Sequence, residues 1–212
     1  MKAAVVGANT ELGGGIVTAL ERRGIHSVAI MPALFPMPGE GQILIKDYDE
    51  LSLADLRDVQ VLIDAVSFPM ITAFSTDMLP LWYELEILKK SPIKLLCLDS
   101  ASCLFADDNR STSVFDSSCL CQEDEGVANL LRANAFKRLQ QERKVSWTLL
   151  CPPLICEEHS QRTGHYEFSG DVLPMGEDGS SCISFSDLAD ATAELLKRGL
   201  QSNQVISVRA LK

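Results

Sequence analysis

The chain has 212 residues, enough for one large α/β domain spanning 1–212, and 46% of them are hydrophobic, enough to fill its core. With 29 acidic against 19 basic residues it carries a formal charge of −10, which speaks against nucleic acid and anionic membrane surfaces as partners, because both call for basic patches. No run approaches the roughly 18 apolar residues of a membrane span, no signal-peptide pattern precedes the first strand, and seven cysteines are an odd count, so a reducing, cytoplasmic setting is expected rather than a disulfide framework.

Ala3 to Val6 is a short apolar run that stops at Gly7, after which Leu12, Ile16, Val17 and Leu20 recur at helical spacing up to Gly24. Strand, glycine turn and helix in that order predict the opening unit of a dinucleotide-binding domain. Gly7 permits a tight turn, the amides of the turn and of the helix N-terminus face a pyrophosphate, and the small residue at Gly13 lets that phosphate approach. The alternative is an ordinary βα turn with no ligand.

Ser27 to Met31 reads as the second strand. In a dinucleotide fold its end carries an acid for the adenosine ribose or an arginine for a 2′-phosphate. Here Met31-Pro32 opens an apolar, proline-rich loop with no charge before Glu40. Gln42 to Ile45 is a third strand. Ser52-Leu-Ala-Asp55 resembles a capping box and predicts a short helix ending near Arg57. Val61 to Val66 is a fourth strand, nearly continuous in apolar residues as a parallel strand buried on both faces requires. Ser67, Phe68 and Pro69 then lie at its C-terminal edge, where open α/β sheets hold ligands.

A helix is expected within Thr76 to Lys90, with Pro80 in its first turn. Ile93 to Leu98 is the fifth strand, running into Asp99-Ser-Ala-Ser-Cys-Leu104, whose small side chains leave room for a ligand opposite Gly7. Residues 105–122 are polar and serine-rich and predict a long excursion, either a lid or a mobile loop. Glu123 to Glu142 is a helix and Ser146 to Cys151 a sixth strand, closed by Pro152-Pro153. Further on, Gly164 to Phe168 alternates weakly like a strand, Ile183 to Phe185 is extended, Asp187 to Arg198 is a helix capped by Ser186, and Val205 to Val208 is a last strand. Cys119-x-Cys121 and Cys156-x-x-His159 have no matching second pair at ligand spacing, so no metal site is expected.

Four segments together carry a resemblance. They are Gly7-Ala-Asn-Thr-Glu-Leu-Gly13, Asp99-Ser-Ala-Ser-Cys-Leu104, Val145-Ser-Trp-Thr-Leu-Leu-Cys-Pro-Pro153, and Arg162 to Ala189 with its Gly-Glu-Asp-Gly turn. In order and over nearly the whole chain they resemble the atypical short-chain dehydrogenase/reductases with a single NAD(P)-binding Rossmann domain. That family includes NADH-flavin reductases, biliverdin reductase B-like enzymes and NmrA-type proteins. The resemblance implies an α/β fold, a doubly wound parallel sheet with helices on both faces and a small C-terminal segment on the substrate side. It implies cofactor contacts from Gly7, Asn9, Thr10, Glu11, Leu12 and Gly13 of the turn, from Met31, from Ser67 and Phe68, and from Ser100, Pro152 and Pro153.

The chain departs from the family pattern at several places. Thr10 stands where a second glycine is usual, and Glu11 where many members have a basic residue. The arginine after the second strand gives way to Met31-Pro32, and the arginine before the proline pair is Cys151. NAD or NADP is therefore the expected cofactor, with NADP disfavoured by Glu11 and by the missing arginine.

None of Tyr48, Tyr83 and Tyr166 has a lysine four residues on, so the wider superfamily's tyrosine–lysine acid is missing. Flavin reduction demands less, since the protein mainly positions two stacked rings. Ser102 and Cys103 are the catalytic candidates near the nicotinamide, although no histidine partner for Cys103 is indicated. His165 and Tyr166 either reach a substrate or belong to an ordinary strand. The resulting expectation is a soluble NAD(P)H-dependent reductase, monomer or homodimer, acting on a flavin or similar planar small molecule. The alternative is a non-catalytic, nucleotide-sensing or scaffolding NmrA-like protein.

Overall fold

A computed structural model describes residues 1–33, 41–67, 69, 71, 78–117 and 126–211. Its first unit is strand β1 (Lys2–Val6), helix α1 (Glu11–Arg22) and strand β2 (His26–Met31). Strands β3 (Gln42–Ile45), β4 (Val61–Asp64), β5 (Lys94–Leu98) and β6 (Trp147–Cys151) follow, with helix α2 (Pro80–Leu88) before β5 and helix α3 (Gly126–Gln141) before β6. The last part holds short strands β7 (Ile155–Glu157), β8 (Tyr166–Ser169) and β9 (Cys182–Ser184), helix α4 (Phe185–Arg198) and strand β10 (Gln204–Ala210).

Eight strands form one sheet in the order β3-β2-β1-β4-β5-β6-β10-β8, parallel except for the edge strand β8. This is the doubly wound Rossmann order, with its reversal between β1 and β4. Alternation along β1 explains the two layers. Ala3 and Val5 pack with Ile16 and Leu20 of α1 and with Leu188 and Leu195 of α4 on one face. Ala4 and Val6 face the other side, with Leu81 and Leu85 of α2 and Leu139 of α3. Burial on both sides is why these strands read as continuous apolar runs. The parallel pair β7 and β9 forms a separate two-stranded sheet that carries the C-terminal segment.

Three local expectations are corrected. No helix forms over 52–57. The carboxylate of Asp55 accepts from the amide and hydroxyl of Ser52 and from Lys46, and these local bonds hold a turn after a 3₁₀ segment at Tyr48–Glu50. Helix α4 starts two residues early, because Ser184, not Ser186, caps it by accepting from the Asp187 amide. The Ser186 hydroxyl instead donates to the Ser160 carbonyl. The described part of the serine-rich excursion, 105–117, is fastened to the body. Phe105 bridges Ser113 and Val172, and Val114 is fully buried.

Candidate functional site

The crevice lies at the C-terminal ends of β1, β4, β5 and β6, where the chain reverses its winding. Gly7 leaves β1 with φ +83°, a conformation that a side chain would strain, and a Cβ there would strike Val66. A Cβ on Gly13 would lie 2.1 Å from the Gly7 carbonyl oxygen. Gly13 is thus also required for the helix to sit against its own turn. Thr10 caps α1. Its hydroxyl donates to the Gly7 carbonyl at 2.8 Å and accepts from the Gly13 amide at 3.0 Å. Among the described residues, the amides of Asn9, Glu11 and Leu12 donate to no protein acceptor. The Asn9 side-chain oxygen is buried with no partner. Open amides at a helix N-terminus make a site for an anion.

Glu11 is exposed, and its carboxylate is occupied by His159, whose amide donates to it at 2.9 Å and whose Nδ1 lies 3.3 Å away. Met31 is fully buried in the core and presents no surface to a ligand. At the end of β2 the described residues Met31, Pro32 and Ala33 offer neither an acid for a ribose nor an arginine for a 2′-phosphate. Ser67 is also buried. Its hydroxyl accepts from the Leu81 amide at the start of α2, and its own amide donates to Asp64. Phe68 lies outside the described residues, as do Cys119 and Cys121.

Across from the glycine turn is a cleft of about 220 Å³. Leu12, Pro69, Asp99 to Ser102, Arg132, Pro152, Pro153 and Leu154 line it, with Cys156 of β7 and Phe185 and Leu188 of α4. The structure thus brings together Leu12, Ser100, Ser102 and the proline pair. Cys103 points elsewhere. Its thiol donates to Asp99 and it lines a second, apolar cavity of about 420 Å³ with Phe105, Phe115 and Phe136. Burial, reinforced by the Asp99 charge, pushes the Cys103 thiol well above its usual range, the opposite of an activated nucleophile. Tyr166 serves the α1–α4 interface, with its hydroxyl bonded to Asp190 and Glu194, and His165 beside it is exposed.

Two residues of the cleft carry charge that motif reading had not singled out. Asp99, at the end of β5, is 4% exposed. Its Oδ1 accepts from the Ser100 amide at 2.7 Å and its Oδ2 from the Cys103 thiol. Burial pushes the Asp99 carboxyl up to about 7, against the downward pull of Cys103, Ser100 and Arg132. Arg132 comes from α3, and only the folded packing of α3 over the β5 loop brings it here. The signal for Asp99 was present in the sequence as a lone acid ending a buried strand.

No protein-family model matches the chain. It is similar to the uncharacterized protein YwnB of Bacillus subtilis (strain 168), with 27% identity over 98% of both chains. Among solved structures it is similar to SP1627 of Streptococcus pneumoniae TIGR4, provisionally named an NADH-flavin reductase, with a TM-score of 0.89 and 26% identity over the full length of both. ChuY of Escherichia coli O157:H7, named an anaerobilin reductase, matches with a TM-score of 0.72 and 16% identity over 100% of this chain and 99% of that one, which speaks for the shared fold. These neighbours match the NAD(P)-binding Rossmann branch that the motifs resemble.

Proposed function

We propose that the protein is a reductase that takes hydride from a nicotinamide cofactor and passes it to a flavin or another planar conjugated acceptor. The observation that carries this reading is the convergence of two features on one crevice: a glycine turn with three open amides, and a cleft at the ends of β5 and β6 sized for part of a small ligand. The names of the structural neighbours, one an NADH-flavin reductase and one an anaerobilin reductase, support it. A pyrophosphate would lie on the amides of Asn9, Glu11 and Leu12, and the unpartnered Asn9 oxygen would accept from a hydroxyl of the bound cofactor. The cofactor when bound supplies the hydride. The chain supplies the walls that hold two rings together, Pro152 and Pro153 among them.

NADH is the preferred form in this reading, because nothing in 31–33 pairs a 2′-phosphate. Titration of NADH and NADPH against the protein, followed by turnover with flavins and quinones, tests the reading. Failure to bind either cofactor at millimolar concentration overturns it. Asn9→Ala is expected to weaken NADH binding by about tenfold, the worth of one well-placed hydrogen bond of about 1.4 kcal/mol, with no loss of folded protein.

A second reading rests on Met31. Its burial leaves no charged anchor for the adenosine half of the site among the described residues 31–33 at the end of β2. A nucleotide-sensing or scaffolding role would show as cofactor binding with no turnover on any acceptor. Among the described residues no helix is long and apolar enough to cross a membrane. A cytoplasmic monomer or homodimer remains part of the proposal.

A further inference from the structure

We propose that Asp99 is the proton source of the site, and that it delivers the proton to a cleft-bound acceptor through the hydroxyls of Ser100 and Ser102. The proposal rests on the reductase reading above and adds to it the missing acid. The geometry is a chain of three groups on one wall. The Ser100 amide donates to Asp99 Oδ1 at 2.7 Å, and the Ser100 hydroxyl lies close enough to the same carboxylate to favour its charged form. The Ser100 hydroxyl lies 2.7 Å from the Ser102 hydroxyl, a distance at which either oxygen donates. All three residues line the 220 Å³ cleft, and the Ser102 side also borders the larger apolar cavity.

The chemistry of the surroundings suits the task. A proton donor must hold its proton near neutral pH and release it when charge develops nearby. Burial keeps the Asp99 carboxyl protonated up to about 7. Once it ionises, the carboxylate is received by the Ser100 amide, the Cys103 thiol and the Arg132 guanidinium. Cys97 and Cys151, the other titratable groups close by on β5 and β6, are buried thiols pushed far above neutrality, so they stay uncharged and do not compete.

The step balances as follows. A reduced nicotinamide, when bound, would supply the hydride, two electrons with one hydrogen nucleus, and would leave oxidised. The acceptor is reduced and needs one proton at a nitrogen or oxygen that became basic. The Asp99 O–H bond breaks as Ser100 Oγ takes its proton. Ser100 passes its own proton to Ser102 Oγ, and Ser102 passes its own to the acceptor. Asp99 is left as a carboxylate and regains a proton from solvent.

The first test needs no cofactor. Carbon-13 NMR of the labelled carboxyls should show Asp99 titrating near pH 7, and Cys103→Ala should move its midpoint upward, because a bond that favours the charged form is lost. A midpoint in the ordinary carboxylate range, or one indifferent to Cys103→Ala, overturns the proposal. The second test is turnover of NADH with riboflavin or FMN from pH 5 to 9. The expected kcat/KM falls tenfold per unit above the Asp99 midpoint. Asp99→Asn is expected to lose 10²–10⁴-fold and the pH limb with it, while NADH affinity is kept. Ser102→Ala should lose rate without moving the limb. Wild-type rate and profile in Asp99→Asn would refute the relay alone, whereas absence of NADH and NADPH binding would refute the reductase reading and the relay together.

Discussion

Glu84 falls at helical spacing between Leu81 and Leu88, on the apolar stripe of α2, and it is 1% exposed. It lies against Asp64, at the end of β4, which is fully buried. Asp64 Oδ1 accepts from the amides of Val66 and Ser67. Its Oδ2 and both Glu84 oxygens have no hydrogen-bond partner among the described residues. The two carboxyls influence each other directly, and a proton on one lets it donate to the other. Burial, then the Asp64 charge, pushes Glu84 well above the usual carboxylate range, so Glu84 carries that proton. The same surroundings push Tyr48 up to about 12, burial first and the Asp64 charge after it. The consequence for stability has a definite sign. A carboxyl whose folded pKa is raised above its unfolded value of about 4.3 begins to cost stability as pH passes that unfolded value, and the cost is complete only above the folded one. Wild-type protein must hold a proton on Glu84 that the unfolded chain releases, so it loses stability as pH rises from about 4.3 toward the folded midpoint. Glu84→Gln keeps a donor toward Asp64 and removes that cost. It is expected to melt higher than wild type at pH 7.5 by more than about 2–4 °C, the shift that about 1 kcal/mol produces in a chain of this size, and to match wild type near pH 4. Thermal melts of the two proteins at both pH values check this. An equal offset at the two pH values would mean that Glu84 does not hold its proton in this way.

At the scale of elements, α1 shows how one residue can be read in two ways. As the residue in place of a second glycine, Thr10 looks like damage to a phosphate turn. In the fold it is the helix cap, closing the Gly7 carbonyl and the Gly13 amide at once. The amides left over are those of Asn9, Glu11 and Leu12, so the cap leaves room for the anion contacts proposed above. Thr10→Val keeps the shape and removes both bonds. It is expected to cost about 1 kcal/mol of stability, in the range of 0.5–2 for lost caps, measured by urea unfolding. The parallel strands were legible because burial on both faces writes an uninterrupted apolar run, and the glycine turn because only Gly7 tolerates its φ of +83°. The Ser184 cap was not, since Ser184 and Ser186 fit the same pattern and only the end of β9 separates them. Nor was Arg132, whose place in the cleft depends on how α3 packs over the β5 loop. Sequence spacing reports the face of an element. It does not report which loop that face meets.

For the molecule as a whole, α4 holds the C-terminal segment over the crevice. Its Phe185 and Leu188 form part of the cleft wall, while its acids reach outward along the chain. Asp187 accepts from the amides of Thr163 and Gly164 and from the Thr163 hydroxyl. Asp190, whose side chain is 1% exposed, takes Arg23 from the end of α1, Arg162 and the Tyr166 hydroxyl of β8. Burial works against the charge on Asp190, but the bonds from Arg23, Arg162 and Tyr166 outweigh it and hold the carboxyl well below its usual range. One carboxylate thus ties α1, α4 and β8 to one another, and with them the segment that brings His159 to Glu11. Removing the charge leaves Arg23, itself largely buried, without its main partner. Breaking a buried pair from one side costs roughly 3–5 kcal/mol, and Asp190→Asn is expected near the lower figure because Arg162 stays close to solvent. The sign of the pH effect follows from the depressed pKa. The stabilisation is complete above the unfolded value of about 3.9 and disappears as pH falls through the lower folded value. Asp190→Asn should therefore be less stable than wild type at pH 7, with the gap closing below pH 4. Hydrogen exchange at Tyr166–Ser169 should quicken in the variant, while exchange in β1 and β4 follows only the global loss. A uniform acceleration across the whole sheet would show that the Asp190 cluster is part of the general core and does not act as the fastening of this one segment.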